Sequence, residues 1–128
     1  MSSSPFAQTP EPPYVAVIFT STRTEGDRGY ESMSESMREL ASEQPGYLGI
    51  ESARDDLGIT VSYWINEDSA RAWKDVAAHL VAQRRGQEVW YQDYRVRVAT
   101  VGREYGGPGH PAPAAGAGVD QTVPSQSV

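Results

Sequence analysis

The stretch YVAVIFTST, residues 14–22, decides the fold. It is rich in β-branched and aromatic residues, so it reads as a strand. It does not alternate, because Tyr14, Val15, Ala16, Val17, Ile18 and Phe19 are all apolar. A strand that is apolar at consecutive positions is one buried on both faces. The sheet containing it therefore needs cover on two sides.

After a turn-prone TEGDRG, residues Tyr30, Met33, Met37, Leu40 and Gln44 fall at helical spacing with Ser and Glu between them. This predicts an amphipathic helix from about Asp27 to Gln44, ended by Pro45-Gly46. YLGIESARDDLGITVSYWI, residues 47–65, reads as two strands joined by a tight turn over Asp55–Gly58. Ile59, Val61, Tyr63 and Ile65 share one face of the second of these strands, and Trp64 lies on the other. In NEDSARAWKDVAAHLVAQRRG, Asn66 can cap a helix, Glu67 and Asp68 suit its first turn, and Arg84, Arg85 and Gly86 suit its end. An aromatic connector, VWYQDY, leads to a last strand from Tyr94 to Tyr105.

The order strand, helix, strand, strand, helix, strand is the ferredoxin-like βαββαβ pattern of an α+β domain, with a four-stranded antiparallel sheet and both helices on one face. Those helices leave the second face bare. A second copy of the same sheet is the economical cover for a first strand apolar on both sides, so the expectation is a homodimer, a dimeric α/β barrel.

The ends of the 128-residue chain have a different character. Residues 1–13 are rich in Ser and Pro, and residues 106–128 are nearly all Gly, Pro, Ala, Ser, Gln and Val, so both read as flexible tails around a folded unit at 14–105. A net charge of −6 argues against binding nucleic acid through its phosphates. The absence of Cys excludes disulfides, thiolate metal sites and a Cys nucleophile. The longest apolar run, YVAVIF, is too short to span a bilayer, and the N-terminus lacks the basic and apolar regions of a secretory signal. The default expectation is a cytoplasmic protein with no membrane partner.

YVAVIFTSTRT followed by GY, then ELASEQPGYLGIES, GITVSYW, WKDVAAHLVAQRRGQEVWYQDYRVRV and VGREY together resemble the antibiotic biosynthesis monooxygenase family, within its bacterial branch of unassigned activity. The resemblance covers about residues 14–105 and neither tail. It implies a dimeric α+β barrel, in agreement with the two-sided first strand. It also implies a choice of chemistries, since members include cofactor-independent oxygenases that turn phenolic polyketides into quinones, and heme-degrading oxygenases. Heme-degrading relatives carry an Asn near the position of Thr20 and Ser21, and its absence departs from their pattern.

The second helix carries most of the candidate residues. Ala70, Trp73, Ala77 and Leu80 form the stripe expected to face the sheet, with Ala72, Val76, His79 and Gln83 as a flank beside it. His79 and Gln83 are one turn apart. They make either a proton-transferring pair at a pocket rim or a surface histidine bonded to its neighbour. The resemblance implies a Trp and a Tyr on this helix that hold a phenolic substrate. Trp73 matches the Trp, and His79 stands where the Tyr would. The expected catalytic set is His79, Trp73 and Gln83, with Asn66, Tyr63, Val76 and Trp90 binding substrate.

Trp90, Tyr91 and Tyr94 read either as an aromatic lid or as anchors of a dimer interface. Arg95, Arg97 and Arg103 share one parity of the last strand and read as a solvated or salt-bridged row, or as an anion-binding one. No cluster at metal-ligand spacing and no glycine-rich phosphate loop is present, so neither metal nor cofactor is expected. The expected function is a cofactor-independent monooxygenase acting on a small aromatic or enolisable compound. The alternative is a non-catalytic homodimer binding a small apolar ligand, heme-binding or stress-related.

Overall fold

A computed structural model describes residues 5–83 and 90–107. The element order is β1 (Tyr14–Arg23), α1 (Tyr30–Ser42), β2 (Tyr47–Arg54), β3 (Gly58–Trp64), α2 (Glu67–Gln83) and β4 (Tyr91–Val101). The strands form one antiparallel sheet in the order β2-β3-β1-β4. This is the βαββαβ ferredoxin-like architecture expected from the pattern.

β1 is central, pairing with β3 on one side and with β4 on the other. Its consecutive apolar residues separate by parity. Val15 and Val17 join Trp64, Ala41, Ala70 and Trp73 in the core under the helices. Tyr14, Ala16, Ile18 and Thr20 point the other way, beside Tyr63, Val61 and Ile59 of β3 and Ala99, Arg97 and Arg95 of β4. Trp64 is fully buried at the heart of the core. It stacks on Trp73 with centroids 5.7 Å apart and meets Tyr47 edge-on at 5.6 Å. Its indole N–H donates to Ser62 Oγ at 2.9 Å, which satisfies the buried polar atom.

Boundaries differ from expectation for identifiable reasons. α1 begins at Tyr30 because Asp27 closes the preceding turn. Its carboxylate accepts from the backbone N–H of Gly29 at 3.0 Å and of Glu31 at 3.2 Å, while Arg28 and Gly29 take positive φ. The last strand starts at Tyr91 because β1 runs on to Arg23, whose partner across a register shift is Tyr91. It stops at Val101 because that residue pairs with Tyr14, the first of β1. Asn66 caps α2 as its type suggests, its Oδ1 accepting from Ser69 N–H at 2.8 Å. Between α1 and β2 the chain turns at Gly46, where φ is 85° and a Cβ would overlap the Ser69 side chain. The helix-ending signals at Arg84, Arg85 and Gly86 lie outside the described residues.

The sheet's other face is partly covered by the chain itself. Residues 5–13, expected to be part of a flexible tail, make specific contacts there. Ala7 N–H donates to Glu51 Oε2 at 2.9 Å, and Ala7 sits so close to Gly49 that a Cβ on Gly49 would overlap it. Thr9 Oγ1 donates to Glu104 at 3.1 Å and lies 3.0 Å from the Tyr14 hydroxyl. That hydroxyl donates to Glu104 at 2.6 Å. The C-terminal tail, apart from Gly106 and Gly107, lies outside the described residues. Among the described residues no helix is long and apolar enough to cross a membrane.

Candidate active site

A cavity of about 280 Å³ lies between α1, α2 and the sheet, all four strands contributing to its lining. Its floor is sheet: Val17 and Phe19 of β1, Thr60 and Ser62 of β3, Tyr94 and Val96 of β4. α1 contributes Tyr30, Met33, Ser34, Met37 and Arg38, while α2 contributes Trp73, Lys74, Ala77, Ala78 and Val81. Apolar walls with a few placed polar groups, at a volume near the lower end for small-molecule sites, describe a ligand pocket.

One end of the cavity is aromatic. Phe19 stacks with Tyr94 at 5.6 Å and meets Tyr91 edge-on at 5.2 Å, and Tyr30 stands perpendicular to Tyr91 at 5.9 Å. The Arg23 guanidinium lies 3.8 Å over the Tyr30 ring and is itself fixed by donating to Trp90 O at 3.1 Å and Gly26 O at 3.0 Å. The Arg54 guanidinium is 5.9 Å from the same ring and donates to the Ser21 hydroxyl. Room for it exists because residue 58 is Gly, where a Cβ would overlap the guanidinium.

The Tyr30 phenol stands beside Tyr91, close enough to act on its ionisation. Burial first, and then the adjacent Tyr30 phenol, pushes the Tyr91 hydroxyl above the ordinary tyrosine range, against a weaker opposing pull from Arg54 and Arg23. At neutral pH Tyr91 is therefore an uncharged phenol, a donor of hydrogen bonds and not a base. Among the described residues the cavity lining holds no carboxylate and no histidine.

The residues singled out from the sequence are scattered. Trp73 lines the cavity while also packing in the core. His79 and Gln83 are exposed on α2 and do not line it. The cavity opens along the opposite flank of the helix, at Lys74, Ala78 and Val81, so within a protomer the proton-transferring role expected of His79 and Gln83 has no geometry behind it. Val76 packs against the core, and Asn66 is spent on the helix cap. Tyr63 is on the far face of the sheet, its hydroxyl donating to Glu51 Oε1 at 2.8 Å, so it cannot touch a ligand in this cavity. Trp90 is buried behind Tyr30, its indole donating to Arg28 O at 2.8 Å, and it holds the loop between β1 and α1. Of the connector's aromatics, Tyr91 and Tyr94 are the two that face the cavity.

Arg38, Lys74 and Arg54 drew no attention in the sequence. The first two carried a weak signal, being basic residues directly beside Met37 and Trp73 of the apolar stripes. Arg54 carried none, because its neighbours are set by strand pairing. Among the described residues, no group of three His, Cys, Asp or Glu side chains comes together to hold a metal ion.

No protein-family model matches the chain. It is 50% identical over 100 residues to the uncharacterized protein YqjZ of Bacillus subtilis, covering 77% of this chain and 88% of YqjZ. Among solved structures it resembles SnoaB, a cofactor-independent oxygenase from Streptomyces nogalater, with a TM-score of 0.58 at 14% identity over 69% of this chain and 92% of that one. It also resembles a Nitrosomonas europaea protein assigned to the antibiotic biosynthesis monooxygenases, with a TM-score of 0.53 at 14% identity, over 77% and 96% of the two chains. The chain is a relative of YqjZ and has the fold of the antibiotic biosynthesis monooxygenases. At such low identity the two structures speak for the fold; what this protein does rests on its own cavity.

Proposed function

We propose that the protein is a cofactor-independent oxygenase that holds a small, electron-rich phenol or enolisable compound in the cavity between its helices and sheet. The observation that carries this reading is the aromatic end of that cavity, where Phe19, Tyr91 and Tyr94 offer rings to a flat guest beside the Tyr30–Tyr91 pair and two guanidinium groups. Uncharged donors backed by fixed cations favour a bound anion over its protonated form. The monooxygenase-type fold and the likeness to SnoaB, a cofactor-independent oxygenase, support the same class.

The chemistry needs no external reductant. The substrate loses its hydroxyl proton to water, and the resulting anion passes one electron to O2. The substrate radical and superoxide then join through a new C–O bond, the resulting peroxide anion takes back a proton from water, and the hydroperoxide loses water to leave a carbonyl. For 1-naphthol the balance is one naphthol and one O2 to one 1,4-naphthoquinone and one water. The protein binds the ring, donates to the oxyanion through Tyr91, and keeps bulk water from the radical pair.

The test is oxygen uptake with 1-naphthol as the probe, in the presence of a chelator, followed by mass analysis after reaction under 18O2. The expected product carries one labelled oxygen. Saturable binding with oxygen uptake no faster than the protein-free rate would instead leave a non-catalytic ligand-binding protein.

A homodimer through the free side of the sheet belongs to the same proposal. Ile59 is 41% exposed there. Sedimentation equilibrium should return twice the protomer mass; a protomer mass at high concentration removes the dimer.

A further inference from the structure

The cavity's electrostatics run against those of the chain. The protein has 17 acidic and 11 basic residues, yet the charged residues lining the cavity are Arg38 on α1 and Lys74 on α2, both cations. Both are exposed and line the same cavity, and Arg38 stands about two helical turns beyond Tyr30 on α1. Among the described residues no carboxylate pairs with either of them. Arg71, by contrast, is paired with Glu67 at 3.8 Å and Asp68 at 3.6 Å, outside the cavity. Glu35, Glu39 and Asp75 are close in sequence but exposed and not part of the lining. Two long cationic side chains beside an apolar slot, with aliphatic stems on the wall and heads toward water, form an anion clamp.

We infer that the ligand is a flat aromatic compound carrying an anionic substituent, a carboxylate or its equivalent, which Arg38 and Lys74 hold at the mouth while the ring lies against Trp73 and Met37. This rests on the cavity being the ligand site, as proposed above, and is independent of any oxygen chemistry. The substituent sits at the end opposite the phenol pair, so the ligand has a reacting oxygen at one pole and a recognised charge at the other.

Calorimetric titration with 2-naphthoate and with its uncharged isostere 2-naphthamide reads this directly. The full-length protein should bind the naphthoate at least about tenfold more tightly, an order of magnitude reasonable for a charge pair at a partly exposed site. The preference should shrink as salt is raised. The double variant Arg38→Gln with Lys74→Gln should lose the preference while its affinity for the amide stays within about twofold. Arg71→Gln, which removes an exposed cation outside the cavity, should leave both affinities unchanged. Equal affinities in the unaltered protein, or a preference that survives the double variant, would overturn the inference while leaving the cavity as the ligand site. Failure of both compounds to bind would overturn the inference and the cavity reading together.

Discussion

Replacing Trp73 by Ala should lower the unfolding free energy by about 4 kcal/mol and the melting temperature by roughly 15–30 °C. Trp73 is 6% exposed and stacks on the fully buried Trp64. Its truncation removes one half of that stack and bares Val15, Val17, Ala41 and Ala70, which share its cluster. Ordinarily neighbours relax into part of such a void. Here the vacated space is continuous with an existing cavity of about 280 Å³, so collapse is hindered and the cost falls toward the upper end of the range for large-to-small changes. Trp73→Phe keeps a ring against Trp64 and should cost less than half as much. Urea unfolding followed by far-ultraviolet circular dichroism is the right measurement, because the substitution removes a fluorophore. A loss below about 1 kcal/mol would mean that α2 is not held to the sheet through this residue.

The second large effect concerns turnover. Tyr91→Phe should reduce the rate of 1-naphthol oxygenation about a hundredfold, the usual scale for removing one preorganised donor to an oxyanion, with the fall in kcat and not in KM. The ring that packs edge-on to Phe19 and Tyr30 remains, so stability should change little. His79→Ala should leave the same rate within about twofold, since that imidazole is exposed on the flank of α2 away from the cavity. The opposite ranking, with His79→Ala inactive and Tyr91→Phe intact, would return the chemistry to the outer flank of the helix.

The contrast between these two residues shows where the sequence is legible. Parity along β1 and the spacing of Trp73 and Ala77 are local properties, and they led to the sheet, to the helix-facing stripe and to Trp73 as both core and wall. Periodicity defines the centre of a helix's buried stripe but not which of its two flanks overlooks a cavity. That depends on how the helix crosses the sheet, which the chain's other elements decide. A histidine on one flank drew the assignment, whereas the cavity opens beside Lys74 and Ala78 on the other. Tyr63 lies away from the cavity for a related reason, since strand alternation groups it with Val61 and Ile59 without saying which face the helices cover. The Tyr30–Tyr91 pair and its two arginines were illegible because strand pairing and the β1–α1 turn bring them together from distant parts of the chain. The contacts of the N-terminal segment were illegible for a simpler reason. It is held by few contacts, among them hydrogen bonds to Glu51 and Glu104, which hydropathy does not register.

The central claim is that a flat guest enters on the helix side of the sheet. Amide chemical-shift mapping of the 15N-labelled protein titrated with 1-naphthol tests it most directly. Saturable shifts concentrated at Ser34, Met37, Ala77, Ala78 and Val96, with Ile59, Val61 and Arg97 unmoved, are the expected result. Shifts confined to Ile59, Val61 and Arg97 on the opposite face, or none at all at saturating naphthol, would contradict it.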